Sequence, residues 1–306
     1  MNVSTLSSTM CAASSWNDAN GLLQFFGEQL ARGRLTAAIG AGASLACGLP
    51  DWGNLLKELF KSKNLKWRSG SLLTRADEIL QAFDGDHSKL DQEIRRVLYQ
   101  NKRFDGSSLS QIPLLAALGA LVVGSKRGSV TQIISLNYDD LLATFLGYYG
   151  CSIKQTALLP LWAGNHDVTI YHPHGLLPCG SNSPIERPVV IARLDYDHFY
   201  GNSPDWEAMI SGLWRSNFCL FIGLSGLNEK GEADQNLGRW LHNAWRTHLA
   251  RDSKFPYWGI WFYKTAGMDQ ISFWRDRGVF PKKIADFDEL PRNIYTICQH
   301  ATKLHQ

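Results

Sequence analysis

The sequence predicts an α/β protein, a Rossmann-like parallel sheet flanked by helices, with a helical insertion after the first βα unit. Three observations predict it. Short apolar runs recur along the 306 residues, each ends in a glycine-rich or polar turn, and stretches of helical period lie between them. The first unit organises the rest. Leu35 to Ile39 (LTAAI) reads as a buried strand, and Gly40, Ala41, Gly42 and Ser44 follow with little side-chain bulk, so that consecutive amides are exposed to a phosphate. A helix over 51–61 then presents Leu55, Leu56, Leu59 and Phe60 on one face, with its N-terminus directed back toward the turn. Strand, glycine turn and helix in this order form a dinucleotide site; a tight structural turn fits the same residues.

The remaining elements follow in order. Residues 1–16 are rich in Ser and Thr and are expected to be flexible, and residues 17–306 form one domain. Asn17 or Asp18 caps a helix whose buried stripe is Leu22, Leu23, Phe26 and Leu30. Helical segments at 74–83, 88–100 and 113–123 make up an insertion at about 63–125. A strand over 130–135 ends in Leu136, Asn137, Tyr138, Asp139 and Asp140, and an apolar helix follows over 141–149. Asn137 and Asp139 either cap that helix or stand as polar groups at the carboxyl end of a parallel strand, where open α/β sheets place their chemistry. A strand over 168–171 leads into His172, Pro173, His174 and Gly175; a short strand is expected over 189–192, with Asp195 and Tyr196 after it in structural roles. A strongly apolar strand over 217–222 runs into Gly223, Leu224 and Ser225, a second small-residue turn. Residues 228–236 read as polar and mobile. A helix with Trp240, Leu241 and Trp245, a strand over 257–263, and helices over 268–277 and 294–305 complete the chain. The tryptophans lie in apolar strands and helices, which assigns them to the core rather than to a stacking platform for bases.

Composition narrows the function. The net charge is +3 with both signs interspersed, so the chain lacks the electrostatic footprint of a nucleic-acid binder. Its six cysteines include no CxxC pair, which argues against a zinc ribbon and a disulfide framework; with His166, Asp167, His172, His174 and Cys179 in no recognised ligand spacing, no metal is expected. The N-terminus lacks a signal-peptide pattern and no apolar run is of bilayer length, so a cytoplasmic, soluble location is expected.

GAGAS followed by Gly48, Leu49, Pro50, Asp51 and Trp52 resembles the nucleotide-binding signature of the sirtuin family, the silent-information-regulator-like NAD-dependent enzymes. Three later segments extend the resemblance. Ser135 to Asp139 is similar to the family's TQN-x-D segment, which implies Asn137 as the catalytic asparagine and Asp139 as the nicotinamide-pocket aspartate; Leu136 stands where the family carries glutamine. His174 before Gly175 matches the catalytic histidine, and Gly223 with Ser225 matches the G-x-S segment that contacts the dinucleotide. What the resemblance implies is NAD+ as substrate, Asn137 and His174 as catalytic residues, and a dinucleotide held by Gly40, Ala41, Gly42, Ser44, Pro50, Asp51, Trp52, Asp139, Gly223 and Ser225. The four-cysteine zinc module of classical sirtuin deacylases has no counterpart here, so the resemblance is to zinc-free, NAD+-hydrolysing effectors of bacterial anti-phage defence, which act as homo-oligomers or under a separate sensor protein. A protein deacylase, an ADP-ribosyltransferase and a non-catalytic NAD- or ADP-ribose-binding module are the alternatives.

Overall fold

The computed structural model describes residues 18–124, 126–159, 164–180, 183–202, 204–227, 234–249 and 257–305. The flexible start expected at 1–16 lies outside them. The chain begins with α1 (Ala19–Ala31), β1 (Leu35–Ile39), a short α2 (Ala41–Leu45) and α3 (Trp52–Ser62). Four helices follow, α4 (Leu72–Ala82), α5 (His87–Tyr99), α6 (Gly106–Ser110) and α7 (Pro113–Val122), before β2 (Gln132–Ser135) and α8 (Leu141–Tyr148). The second half comprises β3 (Ile153–Thr156), β4 (Val168–Tyr171), α9 (Arg193–Asn202), α10 (Pro204–Ser216), β5 (Phe218–Ile222), α11 (Gln235–Leu249), β6 (Gly259–Tyr263), α12 (Met268–Arg275), β7 (Val279–Lys283) and α13 (Glu289–Lys303).

The strands form one sheet in the order β3-β4-β2-β1-β5-β6-β7, and every pairing is parallel. This is the Rossmann-like sheet flanked by helices that the sequence predicts. Alternation along each strand divides the core in two. Leu35, Ala37 and Ile39 of β1, with Leu220 and Ile222 of β5, pack under α1, α7, α8 and α13. Ala38, Cys219 and Phe221 point the other way, into a layer built by α10, α11 and α12. That layer holds Trp206, Trp214, Trp240, Trp258 and Trp274, all fully buried, as expected for core tryptophans.

A third apolar cluster joins α3, α4 and α5 to residues 189–192. The helices between α3 and β2 therefore divide their duties, because α7 packs in the main core while α4 and α5 stand with α3 beside the carboxyl edge of the sheet. Residues 189–192 are not the strand the sequence predicts. Their amides turn to side chains and a loop instead: Val189 donates to Asp91 Oδ1, Val190 to the His174 carbonyl, and Ile191 and Ala192 to Asp195 Oδ2. The two strands that the sequence reading omits, β3 and β7, are the edges of the sheet, where exposed positions carry Lys154 and Lys283 and half-buried ones Gln155 and Lys282. The last helix begins at Glu289, earlier than expected, since Pro291 is accommodated in a first turn that lacks amide acceptors anyway.

Among the described residues no helix is long and apolar enough to cross a membrane.

Candidate active site

A parallel sheet places the ends of all its strands on one edge, and four contiguous central strands, β4, β2, β1 and β5, carry the polar turns there. The chain builds outward from β1 to one side and then returns to β5 on the other, so the topological switch lies between β1 and β5. Above it opens a cleft of about 1140 Å³ of non-atom space, part of it solvent.

The floor is a junction of two glycine turns. Gly40 donates to the Ile222 carbonyl, Gly42 to the Gly223 carbonyl and Ala43 to the Gly40 carbonyl, each at 2.9 Å. A Cβ on Gly42 would lie 2.7 Å from Gly223 Cα, and one on Gly223, where φ is +69°, would lie 2.4 Å from the Ala43 nitrogen. The glycines thus let one turn seat on the other. The expectation of consecutive free amides is corrected accordingly, because those of Gly40, Gly42 and Ala43 are already bound. The helix that springs from the turn is α2, not the one expected at 51; Asp51 caps α3 through the backbone and side-chain nitrogens of Asn54.

Asn137 is 7% exposed and is held on every side but one. Its Nδ2 donates to the Gly40 carbonyl at 3.0 Å and to Ser44 Oγ at 2.9 Å, and its backbone nitrogen donates to Ser135 Oγ at 3.3 Å. Ser44 Oγ in turn donates to Asp139 Oδ2 at 2.7 Å, which fixes the hydroxyl as acceptor toward the amide. Side-chain Oδ1 of Asn137 takes no hydrogen bond from any described residue and is the acceptor left for a ligand. Asp140 holds the cap position of α8, and Asp139, one residue earlier, accepts from the Leu141 nitrogen at 3.2 Å, so the helix start engages Asp139 and not Asn137. Burial pushes the Asp139 carboxyl up to about 6, against the hydrogen bond from Ser44 that lowers it.

Two histidines leave β4 with different surroundings. His172 is buried beneath Asn137, its Nδ1 3.2 Å from the Asn137 carbonyl oxygen and its Nε2 3.3 Å from Gln155 Oε1. Burial takes it down to about 4, so the ring is neutral and its Nδ1–H supports the Asn137 backbone. His174 is 4% exposed and borders the cleft. Its Nε2 lies 2.9 Å from Nδ2 of Asn236, and its ring meets Tyr196 edge-on at 5.8 Å and Trp240 at 6.1 Å. Burial lowers its pKa, Asp234 opposes the fall and Arg187 adds to it.

Of the residues expected at the site, Gly40, Ala41, Ser44, Pro50, Trp52, Asn137, Asp139, His174, Gly223 and Ser225 all line this one cleft, whereas Gly42 and Asp51 do not. The sequence reading missed Leu73 of α4, Leu98 of α5, Asp234 and Asn236, and gave Tyr196 no place at the cleft. Tyr196 donates from its hydroxyl to Asp234 Oδ2 at 3.1 Å, and Asp234 Oδ1 accepts from the Leu237 nitrogen at the start of α11. Asp195 is structural as expected, capping the turn before α9 and meeting His87 at 3.2 Å. Part of the stretch read as polar and mobile, 228–233, lies outside the described residues, but Asn236 is fully buried in α11. Its signal was present. Asn236 falls in phase with Leu237, Trp240, Leu241 and Ala244, a polar residue on the apolar face of a helix. Among the described residues no group of three or more His, Cys, Asp or Glu side chains could hold a metal ion.

Residues 131–280 match the family model of the SIR2-like domain. The match spans just under half of the chain. Asn137, His174, Gly223 and Ser225 fall within the matched residues, and the glycine turn at 40–44 precedes them. No curated protein matches the sequence. Among solved structures, the chain is similar to a serine-to-alanine mutant of a Sir2 homologue in complex with ADP-ribose, at 14% identity over 92% of this chain and 96% of that chain, with a TM-score of 0.49. A histidine-to-asparagine mutant of a Sir2 homologue, also in complex with ADP-ribose, gives 14% identity, the same coverages and a TM-score of 0.47. A structure from work on the mechanism and regulation of Sir2 enzymes gives 10% identity over 92% and 98% of the two chains, with a TM-score of 0.45. The matched residues include β2, β4 and β5, the second glycine turn, and the two side chains that border the cleft from β2 and β4, while β1 and the first glycine turn lie before them.

Proposed function

We propose that the chain is an NAD+ glycohydrolase, converting NAD+ and water to ADP-ribose, nicotinamide and a proton. The observation that carries this reading is the pairing of Asn137 and His174 on one cleft, with both amide hydrogens of Asn137 bound and its Oδ1 left to accept. A SIR2-like domain supports NAD+ binding and processing. The cleft's described lining contains no lysine or arginine, so a diphosphate would be met by the backbone amides outside the Gly40, Gly42 and Ala43 set and by the Ser225 hydroxyl, while Asp139 suits a cationic pyridinium ring.

The chemistry follows from charge. The bond from ribose C1′ to the nicotinamide nitrogen breaks with its electron pair going to the ring, which leaves neutral and needs no strong acid, and positive charge develops on the ribose. Asn137 Oδ1 accepts a hydrogen bond from the incoming water and aligns it, and His174, kept neutral by burial, takes the proton released as the water oxygen bonds to C1′. Asp139 acts by positioning, through Ser44. In the same reading NAD+ depletion serves anti-phage defence in the cytoplasm, with self-assembly or a separate regulatory protein holding the activity in check.

The test is release of nicotinamide and ADP-ribose from NAD+ by the purified chain, with and without an acetylated peptide, beside His174→Ala. Release without peptide that is lost in the variant supports hydrolysis. Peptide-dependent release turns the reading to a deacylase, and tight nucleotide binding without turnover turns it to a binding module.

A further inference from the structure

His174 is held by a residue that the proposed chemistry has not yet used. Asn236, fully buried in the first turn of α11, aims its side-chain amide at Nε2 of His174 at 2.9 Å, and its Oδ1 has no hydrogen-bond partner among the described residues. A buried amide with one end bound and the other unmet is costly unless the unmet end has a use. Tyr196 and Trp240 confine the imidazole ring, so it cannot swing away from the amide.

We propose that Asn236 is a positioning residue that sets which nitrogen of His174 acts on the substrate, its amide holding Nε2 so that Nδ1 is the atom turned to reaction. The inference rests on the reading of His174 as the base. The two ends of an amide occupy nearly the same space and have opposite hydrogen-bonding sense. With Nδ2 donating to Nε2, the neutral ring carries its proton on Nδ1 and has no lone pair there to offer. With the amide turned half a revolution, Oδ1 accepts from Nε2–H, Nδ2 takes the outward place that Oδ1 now holds, and Nδ1 presents its lone pair. Once Nδ1 has taken the proton from water, both nitrogens carry hydrogen, and only the turned amide can satisfy Nε2–H. Proton uptake is therefore coupled to the orientation of Asn236, as a third group orients the base in nucleophile–base–orienter triads. The charged groups facing the ring are Asp234, on the turn before α11, and Arg187, which donates to the Pro173 carbonyl; neither contacts Nε2 in the described hydrogen bonds.

The experiment uses the full chain and two readouts. Nitrogen-15 imidazole spectra of wild type, Asn236→Ala and Asn236→Asp, with the His174 signal identified by its loss in His174→Asn, report tautomer and titration without any need for turnover. An aspartate can only accept from Nε2–H, so Asn236→Asp is expected to force the Nε2–H tautomer and to raise the titration midpoint of His174 by at least about one pH unit. Asn236→Ala is expected to leave a tautomer mixture. In turnover of NAD+, Asn236→Ala should lower kcat roughly 10- to 100-fold at unchanged KM, within what a positioned base contributes, and Asn236→Asp should move the acid limb of the profile upward. Spectra of both variants that coincide with wild type overturn the proposal. Wild-type nicotinamide release by His174→Ala removes His174 as base, a different failure, and leaves the spectra to decide what Asn236 does to the ring.

Discussion

Asn137 donates from Nδ2 to the carbonyl oxygen of Gly40 at 3.0 Å, tying the end of β2 to the turn after β1 across 97 positions of sequence. The same nitrogen reaches Ser44 Oγ, so one side chain both closes the cleft floor and presents an acceptor above it. Replacement with alanine is expected to take NAD+ turnover below detection and, through the two lost hydrogen bonds, to cost about 1–3 kcal/mol of stability. Asn137→Asp should be no rescue, because a carboxylate cannot donate to the Gly40 carbonyl. Nicotinamide release and thermal unfolding of the two variants check this; turnover by Asn137→Ala at the wild-type rate would remove the residue from the mechanism.

The seating of one glycine turn on the other makes a second expectation. Gly223→Ala places a methyl group 2.4 Å from the Ala43 nitrogen at a φ of +69°, and should cost about 3 kcal/mol or prevent folding. Gly212 in α10 is the control, since nothing lies within 4 Å of a Cβ there and its conformation is helical. Gly212→Ala is expected to stabilise by about 0.5–1 kcal/mol. Denaturant unfolding of both variants against wild type reads the two signs, and a harmless Gly223→Ala would contradict the packing of the turns.

How much of this was legible in the sequence follows from where each residue sits. β1, β2, β4 and β5 are covered on both faces, so they read as apolar runs, and a polar or small residue just past each run marked Gly40, Asn137, His174 and Gly223. The edge strands β3 and β7 carry polar residues on exposed and half-buried positions and gave no such run. Val189 to Ala192 gave the run without the strand, because its apolar side chains are buried against α3, α4 and α5 while its amides meet Asp91, Asp195 and the His174 carbonyl. The cleft residues contributed by helices, Leu73, Leu98, Tyr196 and Leu237, come to the site through packing between distant segments, which local pattern does not encode.

Asp91 offers a test of electrostatics away from the cleft. It is 2% exposed on α5, and burial, with Asp195 nearby, pushes its carboxyl up to about 7, against the weak lowering from the Val189 amide. The folded state therefore holds the proton more tightly than the unfolded chain. This stabilisation is full below the ordinary aspartate range and is lost as pH rises from about 4 to about 7, a total of about 4 kcal/mol at 1.36 kcal/mol per unit. An Asp91→Asn substitution keeps an acceptor for the Val189 amide and removes the ionisable group. The variant should gain on wild type as pH is raised from about 4 to about 8, with urea unfolding at the two ends as the measurement; a difference independent of pH would show that Asp91 ionises freely in the fold.

The pH dependence of turnover follows from His174. As a base it must be neutral, and burial lowers its pKa, so the acid limb of kcat/KM is expected below the ordinary imidazole value of about 6.5. Asp139, at about 6, titrates in the same region, and its protonation would also disturb the chain from Ser44 to Asn137. Asp234→Asn separates the two. Asp234 opposes the lowering at His174 and does not figure among the groups that set Asp139, while an asparagine can still accept from the Leu237 amide through Oδ1 and donate through Nδ2 to the Tyr196 hydroxyl oxygen. If His174 sets the limb, the variant moves it further toward acid; if Asp139 sets it, the limb stays where it is in wild type. A limb above about 6.5 in the wild-type chain would count against both assignments and would place the titrating group outside this pair.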